Sequence, residues 1–197
     1  MKKGEATREM IIDRAARLFN THGYSGASLS DIMRVTGLEK GGIYNHFKSK
    51  EALALEAFDH ACRLVREPIL KAIAGKTNAA ERLVAYVSAY QDQVDHPVLE
   101  GGCPILNTAA DADDSNPDLR VHAARAMSQR LDTVREMVLN GIERGEIRSE
   151  ADPESLAALI ITSLEGAILI SMLYRDTSYM RNVINELKLH IARVALT

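Results

Sequence analysis

Tryptophan is absent from this chain and phenylalanine occurs only three times, so any core must be built mainly from aliphatic side chains. Cysteine is scarce too. Cys62 and Cys103 stand far apart, which gives neither a disulfide framework nor the paired spacing of a zinc site and suits a reducing cytoplasm. No uninterrupted apolar run reaches the roughly 18 residues of a membrane span. The opening residues, MKKGEATREM, carry charges without an apolar centre and do not read as a secretion signal. Missing as well are a nucleophile elbow, a phosphate-binding loop, a glycine-rich dinucleotide turn and a His-Glu-x-x-His pair, and the six histidines are scattered. The expectations that follow are a cytoplasmic protein with no enzymatic activity, no cofactor, no metal and no membrane partner.

The 197 residues are enough for one large or two small domains with a substantial core. Charge is unevenly shared along them. Residues 1–50 hold nine Lys and Arg against five Asp and Glu, a net of +4; residues 51–197 hold fifteen against twenty-two, a net of −7. A basic head on an acidic body concentrates attraction for phosphate at one end. An excess of +4 also arises as ordinary surface variation, so charge supports a nucleic-acid partner without establishing one.

The organising stretch is residues 28–50, SLSDIMRVTGLEKGGIYNHFKSK. It reads as a short helix, a tight turn and a second short helix. A hydroxyl at Ser28 or Ser30 would accept a bond from an unpaired first-turn amide. Leu29, Ile32, Met33 and Val35 make an apolar face at helical spacing. Gly37 is the turn residue, free to take a positive φ. Ile43 and Phe47, four apart, bury one side of the second helix. Lys40, Gly41, Gly42, Tyr44, Asn45 and His46 are left on the other, with Lys48 and Lys50 after them. Adjacent glycines inside a helix cost roughly 1 kcal/mol each relative to alanine, a cost that makes sense where backbone must come close to something. Lysines, hydroxyls and amides contact phosphates, and Lys, Asn and His read base edges. The second helix therefore reads as one that enters a DNA major groove; the plainer reading is a capped helical hairpin with a polar face. The candidate DNA contacts are Ser28, Lys40, Gly41, Gly42, Tyr44, Asn45, His46, Lys48 and Lys50.

The segment T-G-L-E-K-G-G-I-Y-N-H-F-K-S-K-E-A-L resembles the DNA-binding signature of TetR-type (tetracycline-repressor-like) regulators, and the preceding A-A-R-L-F-N-T-H-G-Y-S-G-A-S-L-S-D-I fits the same family. Together they cover about the first quarter of the chain. The resemblance implies an all-α fold. An N-terminal three-helix helix-turn-helix head, residues 1–50, is joined by a long fourth helix to a larger effector-binding and dimerisation domain, residues 51–197. It further implies an effector-responsive transcriptional regulator. That protein would be a repressor, binding pseudo-palindromic double-stranded operator DNA as a homodimer and released by a small-molecule effector.

Ahead of the organising stretch, residues 5–22 read as a helix with Met10, Ile11, Ala15, Leu18 and Phe19 on one stripe, ended by Gly23. Thr7 and Arg8 belong either against phosphate or in solvent. Behind it, Lys50 opens the long helix, which Pro68 is expected to kink or break near Leu64–Glu67. A shift of its distal half would swing the head. A fifth helix, capped by Thr77 or Asn78, runs unbroken to His96-Pro97. Asp111, Asp113, Asp114 and Asp118 lack the pattern of a calcium loop and read as a solvated connection. Residues 117–144 form the next helix, with Leu119, Ala123, Met127, Leu131, Val134 and Val138 inward; Gly145 closes it.

Residues 99–107, LEGGCPILN, are a second informative segment. Cys103 stands at a helix start, with Pro104 in the first turn, and the positive end of a helix dipole lowers a thiol pKa. The segment resembles the G-C-x-x-x-N element in the effector domain of a subset of TetR-type regulators, in some of which the cysteine senses electrophiles or oxidants. A thiol-sensing repressor acting through Cys103 is therefore the alternative function; the structural reading is a small side chain that begins a helix.

From Pro153, capped by Asp152, the sequence is apolar nearly all round, which buries a helix on two sides. With the last helix, residues 178–195, it is expected to pair with the same two helices of a second chain. The expected interface is Leu159, Ser163, Gly166, Ala167, Ile170, Val183, Leu187 and Ile191. Glu165 lies inside that apolar helix and needs a partner, either a protein cation or hydroxyl, with Arg63 or the facing subunit as the structural answer, or a cationic or donor group on a ligand. The candidate effector residues are Arg63, Tyr86, Tyr90, Cys103, Asn107, Met127, Leu131, Glu165 and Met172. A non-DNA-binding dimerisation module is the remaining competitor.

Overall fold

The computed structural model describes residues 3–112 and 116–196. Asp113 and Asp114 of the acidic cluster lie outside the described residues, as do Met1, Lys2 and Thr197 at the domain limits expected above. Among the described residues ten helices follow one another. They are α1 (Lys3–His22), α2 (Leu29–Thr36), α3 (Lys40–Tyr44), α4 (Lys50–Ala74), α5 (Ala79–Ser88), α6 (Tyr90–Asp95), α7 (Pro104–Ala112), α8 (Pro117–Glu143), α9 (Pro153–Tyr174) and α10 (Ser178–Val194). The only extended pairing among them is an isolated antiparallel bridge between Ile147 and Ala195.

Local chemistry sets most of the limits. Gly23, Gly37 and Gly145 take the left-handed conformation just past α1, α2 and α8. Ser28, rather than Ser30, caps α2: its Oγ accepts from the Asp31 N–H at 3.1 Å, while the Ser28 N–H donates to Asp31 Oδ2 at 3.0 Å. This is a reciprocal capping box. Asn78, rather than Thr77, caps α5 by accepting from the N–H groups of Ala80 and Glu81. Asp152 does the same for Glu154 and Ser155, with Pro153 in the first turn of α9.

The chain forms two compact units. One comprises Met1–Val65 with Leu99–Ala126. Its core contains Ile11, Ala15 and Leu18 of α1, Ile32 of α2, Ile43 of α3, Phe47, and Leu53, Ala57 and Ala61 of α4, joined by Leu99. The other comprises Arg66–Val98 with Met127–Thr197. There α9 packs on α10, and α10 on α5 and α6. The division expected at residue 50 falls on the first residue of α4, inside the first unit.

Two expectations about helices need correction. Pro68 does not break α4, which continues to Ala74. The ring sits on the exposed side, and buried Val65, Ile69 and Ile73 hold the turns on either side of the missing bond. The helix expected to run unbroken to His96 is two, α5 and α6, separated at Ala89. The interruption is a single residue: Ala89 keeps right-handed helical angles, and its N–H still donates to the Ala85 carbonyl at 3.0 Å.

The cap of α2 should carry a pH signature. Bonds from the Ser28 hydroxyl and N–H, then Arg34, hold the Asp31 carboxyl below its ordinary value of 3.8. A depressed carboxylate contributes its stabilisation above that value and loses it as pH falls. Ser28→Ala should lower the unfolding free energy by about 1 kcal/mol at neutral pH, and the deficit should shrink as urea melts are taken down through pH 4.

Candidate nucleic-acid interface and the polar core

α3 is one turn of helix held from inside. Ile43 and Phe47 are buried in the head core, and Thr36 and Gly37 shape the turn before it: Thr36 Oγ1 donates to the Ile32 carbonyl at 2.7 Å, and the Gly37 N–H donates to the Met33 carbonyl. Lys40, Gly41, Asn45 and Lys48 are exposed on the opposite side; Gly42, Tyr44 and His46 are half-buried. The Lys40 ammonium lies 5.8 Å from the centre of the Tyr44 ring. Gly41 has no positive φ, and a Cβ built on it would meet nothing within 4 Å; at Gly42 it would make only ordinary contact with the Leu38 side chain. Neither backbone conformation nor internal packing therefore demands glycine here. Bare backbone at these positions leaves room for close approach from outside.

Two basic residues near this face are already engaged. Lys50 Nζ donates to the Tyr24 carbonyl at 2.7 Å and sits 4.2 Å from the centre of the Tyr24 ring, and burial lowers its pKa. The Tyr24 hydroxyl donates to Glu51 at 2.9 Å; burial, then that carboxylate, pushes the phenol up to about 12. Lys50 thus ties the start of α4 to the turn after α1. Arg8 donates to both carboxylate oxygens of Glu56 at 2.5 Å, with its guanidinium 4.9 Å from the Phe47 ring centre, so it braces α1 against α4. Ser28 is exposed, and its side chain serves the capping box.

The nine effector candidates are drawn from both compact units. Arg63, Cys103 and Asn107 belong to the first unit; Tyr86, Tyr90, Met127, Leu131, Glu165 and Met172 belong to the second. Arg63 is exposed and donates to His60. Cys103 is buried, and the Asn107 amide is spent on Asn20 and Gly101. Met172 is exposed, since it follows the inward row of Leu164, Ile168 and Ser171 by one residue and so turns outward. In the second unit Glu165 is 5% exposed and pairs with Arg130, itself 8% exposed, so its protein cation is Arg130 and not Arg63. Arg130 was missed, although it lies three residues after Met127 and four before Val134, on the inward stripe of α8. Glu165 Oε2 has no partner among the described residues. The hydroxyls of Tyr86 and Tyr90 lie 3.2 Å apart, and burial pushes both phenols up, with the Glu165 charge adding to the rise and the Arg130 charge opposing it.

The expected pairing face also needs correction. Ala167, Leu187 and Ile191 are buried within the chain: Ala167 shares a face with Ile160 and Leu164, while Leu187 and Ile191 continue the row begun by Met180 and Ile184. Leu159 and Ile170 are exposed, and Ser163, Gly166 and Val183 are half-exposed. A groove between α9 and α10 is lined by Leu159, Ser163, Val183, Leu187, Leu189 and His190. Further outward are Leu169 and Leu173, the latter 71% exposed. By length and composition α9 is apolar enough to cross a membrane, yet half of that stretch is buried inside the protein.

Comparison with known proteins agrees with this geometry. The family model described as bacterial regulatory proteins, tetR family, matches residues 11–57, and that described as tetracyclin repressor-like, C-terminal domain, matches residues 79–187. A crystal structure of a TetR transcriptional regulator from Chloroflexus aurantiacus is 43% identical, covers all of both chains and superposes with a TM-score of 0.95. The HTH-type transcriptional repressor DhaR of a Mycobacterium species is 28% identical over 86% of this chain and 84% of its own. A cysteine mutant of the TetR family regulator CifR, solved with a 26-base-pair operator duplex, is 21% identical over 91% of this chain and 94% of its own, with a TM-score of 0.81.

The buried ion pair sets an expectation about stability. Glu165→Ala leaves the Arg130 charge buried without its carboxylate and should cost on the order of 3–5 kcal/mol in a urea melt; a loss below about 1 kcal/mol would show that water already serves the pair.

Proposed function

Because the chain belongs to the TetR family of bacterial regulatory proteins, a family of DNA-binding transcriptional regulators, we propose that it is a cytoplasmic repressor acting without catalysis. Two copies bind a pseudo-palindromic operator, and a small-molecule effector releases them. Residues 1–50 supply the DNA contacts, and residues 51–197 supply pairing and effector binding. The observation that carries the reading is the outer side of α3. Lys40, Tyr44, Asn45 and Lys48 surround a glycine for which nothing inside the chain has a use. Gly42, His46 and the exposed Ser28 complete the contact surface, and Lys50 acts chiefly by fixing the start of α4.

Pairing uses Leu159, Ser163, Gly166, Ile170 and Val183 around the groove between α9 and α10, a two-fold patch that sets the spacing of the heads. The effector lies in the second unit beside Tyr86, Tyr90, Met127, Leu131 and Glu165, whose unpartnered oxygen supports a ligand carrying a hydrogen-bond donor. Movement there passes along α4 and α8, each continuous from one unit into the other. The thiol-sensing alternative draws support from the place of Cys103 immediately before α7; its burial to 4% exposure counts against it.

In gel shifts against the promoter region of its own or the adjoining gene, Tyr44→Ala should abolish binding while circular dichroism stays unchanged. Lys48→Ala should weaken binding and flatten the slope of log affinity against log salt by about one unit. Binding that survives both changes with the wild-type slope would rule out this face. Ile170→Glu should convert the dimer to a monomer in sedimentation analysis, and an unaltered dimer would place the interface elsewhere.

A further inference from the structure

The second unit keeps four polar side chains in an aliphatic interior. Arg130 of α8 pairs with Glu165 of α9, and Tyr86 of α5 and Tyr90 of α6 lie close enough to feel both charges. The same helices bury Leu83, Val87, Val134, Ile161 and Leu164.

The hydrogen-bonding capacity of the four groups is not used up. Glu165 Oε1 accepts from Arg130 Nη1, while the buried Oε2 has no partner among the described residues. An ionised carboxylate only accepts, so that oxygen calls for a donor. The two phenols share one O–H between them, at 3.2 Å, which leaves the second O–H to donate elsewhere. A buried acceptor without a bond carries a desolvation cost that a ligand would relieve.

Charge narrows the class of that ligand. Arg130 and Glu165 cancel each other. A ligand ammonium would add positive charge beside Arg130, and a ligand carboxylate would face Glu165; either brings an uncompensated charge into an apolar interior. A hydroxyl does neither. Its proton suits Oε2, and its lone pairs suit the spare phenol O–H, a combination that an ammonium lacks.

Neighbouring side chains define the rest of the molecule. Glu165, Leu169 and Met172 follow one another at i, i+4 and i+7, so the buried carboxylate continues along α9 into an apolar strip in which Leu169 is 62% exposed. On α8 the half-buried Met127 and Leu131 flank Arg130. Methionine is unbranched, adapts its shape and makes favourable contacts with aromatic rings. Met127 and Met172 can therefore give way to a ring and then cover it.

We propose that the effector is a neutral, ring-bearing alcohol or phenol whose hydroxyl joins Glu165 Oε2 to the Tyr86–Tyr90 pair and whose apolar body lies against Met127, Leu131, Leu169 and Met172. The proposal rests on the effector reading of the second unit and names the chemical class that reading left open.

Four probes with one ring system test it: 1-naphthol, 1-methoxynaphthalene, 1-naphthoate and 1-naphthylmethylammonium. The chain has no tryptophan, so naphthalene emission can be followed directly as full-length protein is added. 1-Naphthol should bind at least about ten-fold more tightly than its methyl ether and than either charged probe. Glu165→Gln, which replaces the carboxylate by an amide, should bring the naphthol-to-ether ratio close to one. The wild-type comparison stands even if that variant fails to fold. Equal binding of naphthol and ether, tighter binding of a charged probe, or no binding of any of the four overturns the proposal. So does a naphthol preference that persists in folded Glu165→Gln. Selection from randomised duplex DNA with the same protein separates the two readings. A selected duplex without a naphthol preference sinks the ligand class alone, and a naphthol preference without any selected duplex sinks the regulator reading.

Discussion

A helix of five residues cannot sustain itself. Isolated helices shorter than roughly 12 residues are marginal in water even with favourable composition, and α3 carries two glycines. What holds it is the insertion of Ile43 and Phe47 into a core shared by α1, α2 and α4. The direction in which its outer face points is therefore a property of the head as a whole. Ile32, Leu53 and Ala57 aim it as surely as its own residues do, and so do the Arg8–Glu56 pair and the Lys50–Tyr24 tie nearby.

Much of the architecture could be read before any coordinates, and the reason is local chemistry. Gly37, Gly145, Asp152 and Pro153 mark helix ends because they satisfy or remove orphaned backbone groups within one turn. Ile43 and Phe47 could be assigned because four-residue spacing leaves only one buried side. The same logic runs out where local chemistry is silent. α9 is apolar on every side, so periodicity could not say which of its residues turn inward, and Ala167 was set on the wrong face. Leu187 and Ile191 failed differently. Their row was identified correctly, but its partner is the chain's own core. At Pro68 the rule about missing bonds was sound, but an exposed position let α4 absorb the loss.

The buried charges show a related limit. A lone glutamate in an apolar helix announces that it needs a partner without saying which one. Arg130 is thirty-five residues away in sequence and meets it only because α8 and α9 fold together. The arginine is equally conspicuous on its own stripe, and the two anomalies explain each other once read as a pair. Charges held this way are weak evidence for stability and better evidence for a constraint on how two helices fit. The clasp between Asn20 and Asn107 is the same kind of feature in the head unit: side chains that look like ordinary surface amides in sequence hold backbone segments eighty residues apart.

The partition of α3 into an anchored side and an exposed side has an evolutionary consequence. Lys40, Gly41, Asn45 and Lys48 contribute little to the core that Ile43 and Phe47 enter. On the DNA-contact role proposed for α3, drift at those few positions after gene duplication would redirect a copy toward new sequences while its folding is conserved. A lineage built on this scaffold can diversify its targets gradually, without passing through misfolded ancestors.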